Sequence, residues 1–158
     1  MGLERGGVVR ITFDEVMCGV LLGDGGLEKR GNARLKIQRK VGHKEYNDWL
    51  MRVLSEWLDF GPSWSGEYFD KRTGKTYGSS EIKTRVDKRL TELHSLWYAG
   101  KKRVIPMKYV EKNFTDLSLA IWYLDDGTLT RSNGYYRVVF GTNRYNKVEV
   151  EFFGVAVE

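Results

Sequence analysis

Two Asp-Gly pairs, 102 residues apart, are the residues of this sequence best placed to do chemistry. The stretch "CGVLLGDGG" carries Asp24, and "LAIWYLDDG" carries Asp125 and Asp126, each after an apolar run with helical spacing. A helix C-terminus bears partial negative charge, so a carboxylate there is locally unfavourable. A divalent cation would remove this penalty, since magnesium takes oxygen ligands and accepts phosphate oxygens. The sequence therefore predicts that Asp24 and Asp126 bind a metal ion together.

The two stretches form an internal repeat, because a β-hairpin pattern follows each of them. One Asp-Gly pair after a helix is usually only a turn, whereas two copies on apolar helices are a stronger signal. If the helices pack side by side about a pseudo-twofold axis, their C-terminal ends meet. Gly19 and Gly23, with Cys18, give the first helix a small-residue face for this approach.

Hydrophobic spacing predicts the helices that position the aspartates. Asp14 is the predicted N-cap of the first helix. The clearest helix is "HKEYNDWLMRVLSEWLDFG", whose apolar residues from Tyr46 to Leu58 recur at i, i+3, i+4 and i+7. Further helices are "KRLTELHSLWYAG" and the run from Asp116 to Leu124, and "KKRVIP" is a basic connector. The stretch "NKVEVEFFGVAVE" fits a strand and a helix equally well.

Strand patterns alternate with these helices, which predicts an α/β fold. Hairpins are expected around Gly31-Asn32, "RTGK" and Asn133-Gly134. In "ARLKIQRKV" apolar residues alternate with basic or hydrogen-bonding ones, and Arg39 alone breaks the pattern. In "EIKTRVD" the same alternation places basic residues on one side of the strand. Both strands should therefore have one apolar and one basic face.

Composition narrows the class of protein. The 158 residues have a formal net charge of +5, which fits an anionic partner such as nucleic acid without requiring one. Cys18 is the only cysteine, which excludes an intrachain disulfide and a CxxC metal site. The start of the chain has no apolar signal-peptide region, and no run approaches the roughly 20 apolar residues of a membrane span. We therefore expect an intracellular protein, cytoplasmic or organellar, with no membrane partner.

The paired stretches resemble the motifs of the LAGLIDADG homing endonucleases. "CGVLLGDGG" and "LAIWYLDDG" match the motif pattern, and "HKEYNDWL" and "KKRVIP" are similar to segments of the single-chain enzymes related to the mitochondrial omega-intron endonuclease. The resemblance implies two halves, each with an antiparallel DNA-binding sheet and helices on one face. It covers about residues 14–150 and places the first half at 1–112 and a partial second half at 113–158.

The resemblance also implies an activity, namely site-specific cleavage of double-stranded DNA that depends on Mg²⁺ or Mn²⁺. It makes Asp24 and Asp126 the metal ligands and leaves Asp125 either supporting or solvated. It places Lys102 of "KKRVIP" and Gln38 beside the catalytic pocket. A basic or polar side chain there would polarise water or screen the phosphate charge.

The strand rows and the turns supply the DNA contacts that the resemblance implies. Arg and Lys pair with guanine edges and Gln with adenine, while basic residues near turns would contact phosphate. The predicted DNA-binding residues are Lys29, Arg30, Arg34, Lys36, Gln38, Lys40, Arg72, Lys75, Lys83, Arg85, Arg131 and Arg137.

The second copy of the repeat is shorter than the first, since 32 residues follow Asp126. Three explanations stay open: a fragment of a longer reading frame, completion by self-association or by a second chain, and a decayed enzyme. The alternatives to the endonuclease are accordingly a cleavage-inactive DNA-binding protein, an RNA-splicing maturase of the same fold, and a structural remnant without activity.

Overall fold

In the computed structural model, which describes residues 10–156, a β-hairpin follows each of the two motif helices. The helices are α1 (Phe13–Leu22), α2 (Lys44–Leu54), α3 (Lys88–Trp97), α4 (Met107–Asn113), α5 (Asp116–Asp126) and α6 (Lys147–Ala156). The strands are β1 (Gly26–Arg30), β2 (Asn32–Lys40), β3 (Trp64–Asp70), β4 (Lys75–Lys83), β5 (Tyr98–Ala99), β6 (Lys102–Arg103), β7 (Gly127–Ser132) and β8 (Tyr135–Phe140).

The principal sheet has two sides of different chemistry. Its four antiparallel strands lie in the order β1-β2-β4-β3. On one side Leu35 and Ile37 of β2 and Ile82 of β4 are almost fully buried, and α2 and α3 pack there. Because successive residues of a strand point to opposite sides, Arg34, Lys36 and Lys40 of β2 lie on the other side. The predicted amphipathic strands are therefore confirmed.

The motif helices α1 and α5 pack directly against each other. All residues from Val16 to Leu22 are buried. Gly19 permits the close approach, because a Cβ atom there would lie 2.6 Å from the carbonyl oxygen of Ser118 and 2.8 Å from the Cβ of Ile121. The predicted packing through small residues is therefore confirmed, and it brings the C-terminal ends of both helices to one end of the interface.

Gly19→Ala is expected to destabilise the protein, because the added methyl group must displace backbone atoms of α5. Overpacking of this kind costs about 1–3 kcal/mol, which would lower the midpoint of urea unfolding. Gly154→Ala is the matched control, since a Cβ at Gly154 in α6 would have nothing within 4 Å. This control should gain about 0.5–1 kcal/mol from better helix propensity. Equal effects of the two substitutions would contradict the packing.

The three hairpins form where the turn residues predict them. Gly31 joins β1 and β2 with a φ of 80°, and Gly74, before β4, has a φ of 67°. Asn133 and Gly134 join β7 and β8 with φ values of 52° and 82°. Two successive positive φ values belong to a type I′ turn, for which Asn-Gly is the preferred pair.

Two predicted helix boundaries are wrong. Thr12, rather than Asp14, is the N-cap of α1, and its side chain forms a capping box with the first turn. The helix α2 ends at Leu54 instead of continuing to Leu58. It ends there because the chain must return to the sheet, where Phe60 forms a β-bridge just beyond the end of β4.

The strand patterns also end earlier than their alternation predicts. Val41 lies in a 3₁₀ turn after β2, Val86 lies beyond β4, and these side chains are 47% and 57% exposed. "KKRVIP" is more than a connector, because Lys102 and Arg103 form β6 and pair with β5. The ambiguous segment near the end of the chain is the helix α6. Within the described residues 10–156, none of the helices is long and apolar enough to cross a membrane.

The hairpin β7–β8 stands apart from the principal sheet and forms a two-stranded sheet. Several of its apolar side chains are exposed, among them Leu129 at 55% and Val138 at 53%. In the first half, the corresponding hairpin β1–β2 is extended by β4 and β3 and covered by α3. The division into halves at 112/113 falls one residue before the end of α4 and stays a prediction, as does completion of the second half by another chain.

Candidate functional site

The ends of α1 and α5 bring the predicted aspartates to one site. The backbone N–H of Asp24 donates to Asp125 Oδ2 at 3.0 Å, although 101 residues separate them. Gly23 makes this possible, since a Cβ there would collide with the Asp125 carboxylate. The side chains of Asp24 and Asp126 are 33% and 17% exposed, whereas that of Asp125 is fully buried. Asp125 is therefore not solvated as one of the two alternatives predicted, whereas the other two carboxylates reach solvent.

Arg39, the residue that broke the strand alternation, lies between the sheet and this site. Its side chain is only 4% exposed and pairs with Asp125 at 2.5 Å. It also donates to the Asn47 side chain. Its Nε lies 3.6 Å from Asp24 Oδ2 and has no hydrogen-bond partner within residues 10–156. Arg39 thus links β2 and α2 to both helix ends.

Two further arginines offset the negative end of α1. The Arg103 guanidinium donates to the carbonyl oxygens of Leu21 at 2.9 Å, Gly23 at 3.2 Å and Gly25 at 2.5 Å. Arg144 donates to the Gly23 carbonyl oxygen at 3.1 Å, and its other terminal nitrogen lies 3.5 Å from Asp126 Oδ2. Cations that bind the last carbonyls of a helix are stabilising. Arg103 and Arg144 therefore explain how carboxylates can lie at these helix ends.

The sequence did not predict a role at this site for any of the three arginines. Only Arg39 has a recognisable feature in the sequence, because it is a polar residue on the apolar face of a strand.

The Asp24 carboxylate is harder to ionise than a free one. Burial, and then the nearby charge of Asp125, raises the pKa of Asp24 to about 6, against the opposing effect of Arg39. Asp126 contributes in the same direction, which places it within electrostatic reach of Asp24. Burial also raises the pKa of Asp125, although Arg39 opposes it. The ionised form of Asp24 is thus disfavoured chiefly by burial, and a bound cation would favour it.

The donor set fits a magnesium-like ion. Asp24 and Asp126 offer carboxylate oxygens on adjacent helix ends, and Mg²⁺ is commonly bound by one or two carboxylates together with water and substrate phosphate. In the part of the chain that the structure describes, no three His, Cys, Asp or Glu side chains are grouped to share a metal ion. An ion held by Asp24 and Asp126 would complete its coordination with water and phosphate oxygens.

Gln38 lies beside the aspartates, and Lys102 has no contact that links it to them. Gln38 lines a cleft of about 310 Å³ together with Asp24, Lys40, His43 and Leu124, and it donates to Ser79 Oγ at 3.0 Å.

Lys102 is exposed and makes no side-chain hydrogen bond or ion pair with the described residues. The contact with the end of α1 comes from its neighbour Arg103. Both catalytic roles stay predictions.

Seven of the predicted DNA-binding residues share the exposed side of the principal sheet. They stand at alternate positions of β1, β2 and β4, with Lys36 directly opposite Lys83. They are Arg30, Arg34, Lys36, Gln38, Lys40, Lys75 and Lys83. We call this side the groove face. Trp64 and Tyr68 of β3 also lie on the groove face, because they pair with Glu81 and Tyr77 of β4. They are 48% and 49% exposed and are not among the predicted DNA-binding residues.

The remaining predicted contacts lie elsewhere on the surface. Lys29 pairs with Ala33, so it points to the helix side of the sheet, next to His94. Arg131 and Arg137 belong to adjacent cross-strand pairs and therefore point to opposite faces of β7–β8. Exposed positions beyond the strand ends are occupied by Arg72 and Arg85.

Two curated proteins are similar in sequence to part of this chain. Protein RecA of Mycobacterium gastri is 32% identical over 76% of this chain and 27% of its own length. The cytochrome b mRNA maturase bI2 of Debaryomyces hansenii is 30% identical over 72% of this chain and 44% of its own length. This chain thus spans less than half the length of either relative.

A solved structure, the homing endonuclease I-WcaI bound to its DNA recognition sequence, is similar with a TM-score of 0.76 and 25% identity. The match covers 89% of this chain and 63% of that chain. The model of the LAGLIDADG DNA endonuclease family matches residues 14–156. With two motif helices paired at their aspartate ends, this chain belongs to the LAGLIDADG DNA endonuclease family.

Proposed function

We propose that this protein cleaves double-stranded DNA at a specific site, in a reaction that depends on Mg²⁺ or Mn²⁺. The observation that carries the proposal is the position of Asp24 and Asp126 at two abutting helix ends, beside a sheet with a basic exposed side. The similarity to a homing endonuclease bound to its DNA recognition sequence supports the same conclusion.

In this proposal Asp24 and Asp126 hold the metal ion. A bound divalent ion lowers the pKa of a water molecule and stabilises the leaving oxygen. The groove face positions the duplex, and Gln38 and Lys102 orient water or screen the phosphate. The buried Arg39–Asp125 pair holds the backbone of Asp24 in place through the Asp24 N–H. No atom of that pair needs to touch DNA.

The experiment that tests the proposal is incubation of the protein with a randomised duplex library in magnesium, followed by sequencing of the cut ends. We expect cuts at one position of a shared target, and none in EDTA. Sequence-specific binding without cutting in either Mg²⁺ or Mn²⁺ would contradict the catalytic claim and support a cleavage-inactive DNA-binding protein.

A second candidate function is RNA binding in intron splicing, as the name of the Debaryomyces relative suggests. The exposed Trp64 and Tyr68 favour it, because aromatic side chains stack on the unpaired bases of RNA. Competition between a structured intron RNA and duplex DNA decides between the two. Preference for the RNA under matched salt would support the maturase.

DNA affinity is expected to fall steeply with salt, because bound phosphates release counterions. Four phosphate contacts would reduce affinity by about 100-fold between roughly 50 and 200 mM salt. Removing Arg72 and Lys75, which are exposed at the β3–β4 turn, should lower the slope of log K against log salt by about two. Fluorescence anisotropy with a labelled duplex measures the affinity at each salt concentration.

The matched control variant removes Arg52 and Lys108, which are exposed on α2 and α4. A DNA affinity of the wild-type protein that does not change with salt would contradict groove binding.

A further inference from the structure

Five charged side chains form a continuous row across β1, β2 and β4, which we call the charged ladder. Arg34 pairs with Glu28 at 2.7 Å, and Lys36 lies 3.7 Å from the same carboxylate. Lys36 then pairs with Glu81 at 3.1 Å, and Glu81 with Lys83 at 2.6 Å. Every member therefore has at least one oppositely charged neighbour.

The charged ladder lies on the groove face. Glu28 is directly opposite Arg34, and Glu81 is directly opposite Gln38, which lines the cleft beside Asp24. The residues between them in sequence, such as Leu35 and Ile82, are buried on the helix side. The ladder side chains are between 16% and 44% exposed. They are thus available to a duplex that lies on this face.

The charges of the ladder largely cancel. Arg34, Lys36 and Lys83 carry three positive charges, and Glu28 and Glu81 carry two negative ones, so the net charge is +1. Hydrogen bonds from Arg34 hold the pKa of Glu28 below its ordinary value. For Glu81 burial acts in the opposite sense, but hydrogen bonds from Lys83 and Lys36 still hold its pKa low. Both carboxylates are therefore ionised at neutral pH, and the ladder is poorly suited to neutralise phosphates.

A row of fixed acceptors and donors is suited to base edges instead. Carboxylates accept from the N4 amino group of cytosine, and Arg or Lys donate to O6 and N7 of guanine. The ion pairs restrict the rotamers of all five side chains, so less conformational entropy is lost on binding. A carboxylate facing a phosphate would be repelled, which leaves the bases as its partners.

We propose that Glu81 and Glu28 determine specificity by selecting cytosine, so that the charged ladder reads a segment rich in G·C pairs. The inference rests on the proposed binding of duplex DNA and adds the two carboxylates to the residues that read it. The basic members of the ladder then contact guanine rather than phosphate.

Selection from a randomised duplex library in EDTA tests the inference, because it measures binding without cleavage. Wild-type protein should enrich cytosine at the position that Glu81 contacts. Because Gln pairs with adenine, Glu81→Gln should change the preference there from cytosine to adenine by about 5- to 150-fold. Other positions should keep their preferences. Glu28→Gln should do the same at a different position.

Glu67→Gln is the matched control, since Glu67 is exposed on β3 but points to the other side of the sheet. It makes the same change of charge, so a gain in nonspecific affinity shared by the two variants reflects charge alone. Unchanged base preferences in both Glu81→Gln and Glu28→Gln, or a uniform loss of preference at all positions, would overturn the inference. Wild-type protein that enriches no sequence would overturn the proposed function itself.

Discussion

Asp24→Asn is expected to abolish metal-dependent DNA cleavage while the protein stays folded. Loss of a group that only supports a metal ligand typically reduces activity or metal affinity about 10- to 100-fold, so loss of a ligand should reduce cleavage by more than 100-fold. Asp126→Asn should have the same effect, because the two carboxylates occupy equivalent helix ends. The measurement is the single-turnover rate on the selected target in Mg²⁺.

The same substitution should stabilise the metal-free protein at neutral pH. The pKa of Asp24 is raised to about 6 from an ordinary value of 3.8, so its ionisation opposes folding increasingly as the pH rises above 3.8, and fully above about 6. Asparagine removes that opposition, and we expect a gain on the order of 1 kcal/mol at pH 7.5, since Asp24 is partly exposed. The gain should shrink as the pH falls through 6 and vanish below 3.8. Thermal unfolding in EDTA across this range measures it.

Metal binding provides a readout that does not depend on activity. Mg²⁺ should raise the melting temperature of the wild-type protein, because an ion that binds only the folded state stabilises it, and it should have little effect on Asp24→Asn. Asp48→Asn is the matched control, since Asp48 pairs with Lys44 on the surface of α2. Cleavage by Asp24→Asn at the wild-type rate would remove Asp24 from the catalytic role.

The parts of the fold that could be predicted depend on local physics. Hairpin turns at Gly31 and Asn133-Gly134 follow from backbone conformations that few other residues adopt. The paired motif helices follow from a repeated apolar pattern and from Gly19. The end of α2 could not be read in this way, because its periodicity continues to Leu58 while the chain turns back to the sheet.

The supporting residues of the site could not be predicted, because their partners are distant in sequence. Arg39 and Asp125 are 86 residues apart, and no local pattern pairs them. Arg103 and Lys102 are adjacent basic residues, and only the alternation within β6 decides which of them contacts the end of α1. Residue types and spacing thus identify the carboxylates, whereas tertiary packing selects the groups that position them.

The second large effect is expected at the buried ion pair. Arg39→Met should destabilise the protein by about 3–5 kcal/mol, because it leaves the Asp125 carboxylate buried without its partner. Asp125→Asn should cost a similar amount of stability, since it leaves Arg39 without its main counter-charge. Water cannot compensate for either loss, because the Arg39 and Asp125 side chains are only 4% and 0% exposed. Urea unfolding, with the slope checked for constancy, measures both.

The double variant Arg39→Met/Asp125→Asn distinguishes a buried pair from two independent contacts. Replacing both charges removes the unpaired group, so its destabilisation should be smaller than the sum of the single effects by about 2 kcal/mol or more. The exposed pair of Lys147 and Glu151, with side chains 87% and 62% exposed, is the matched control. Its coupling should lie below about 0.5 kcal/mol. Additive effects at Arg39 and Asp125 would contradict the ion pair.

The double variant also separates stability from function. If the pair only stabilised the fold, cleavage by the double variant would recover along with its stability. We expect cleavage to stay low, because the amide that replaces the Asp125 carboxylate would no longer present an ionised acceptor to the Asp24 N–H. Gln38 and Lys40, which flank Arg39 in β2, point to the groove face. Loss of its side chain would therefore loosen the connection between the DNA-reading strand and the metal ligand, lowering the single-turnover rate more than DNA affinity.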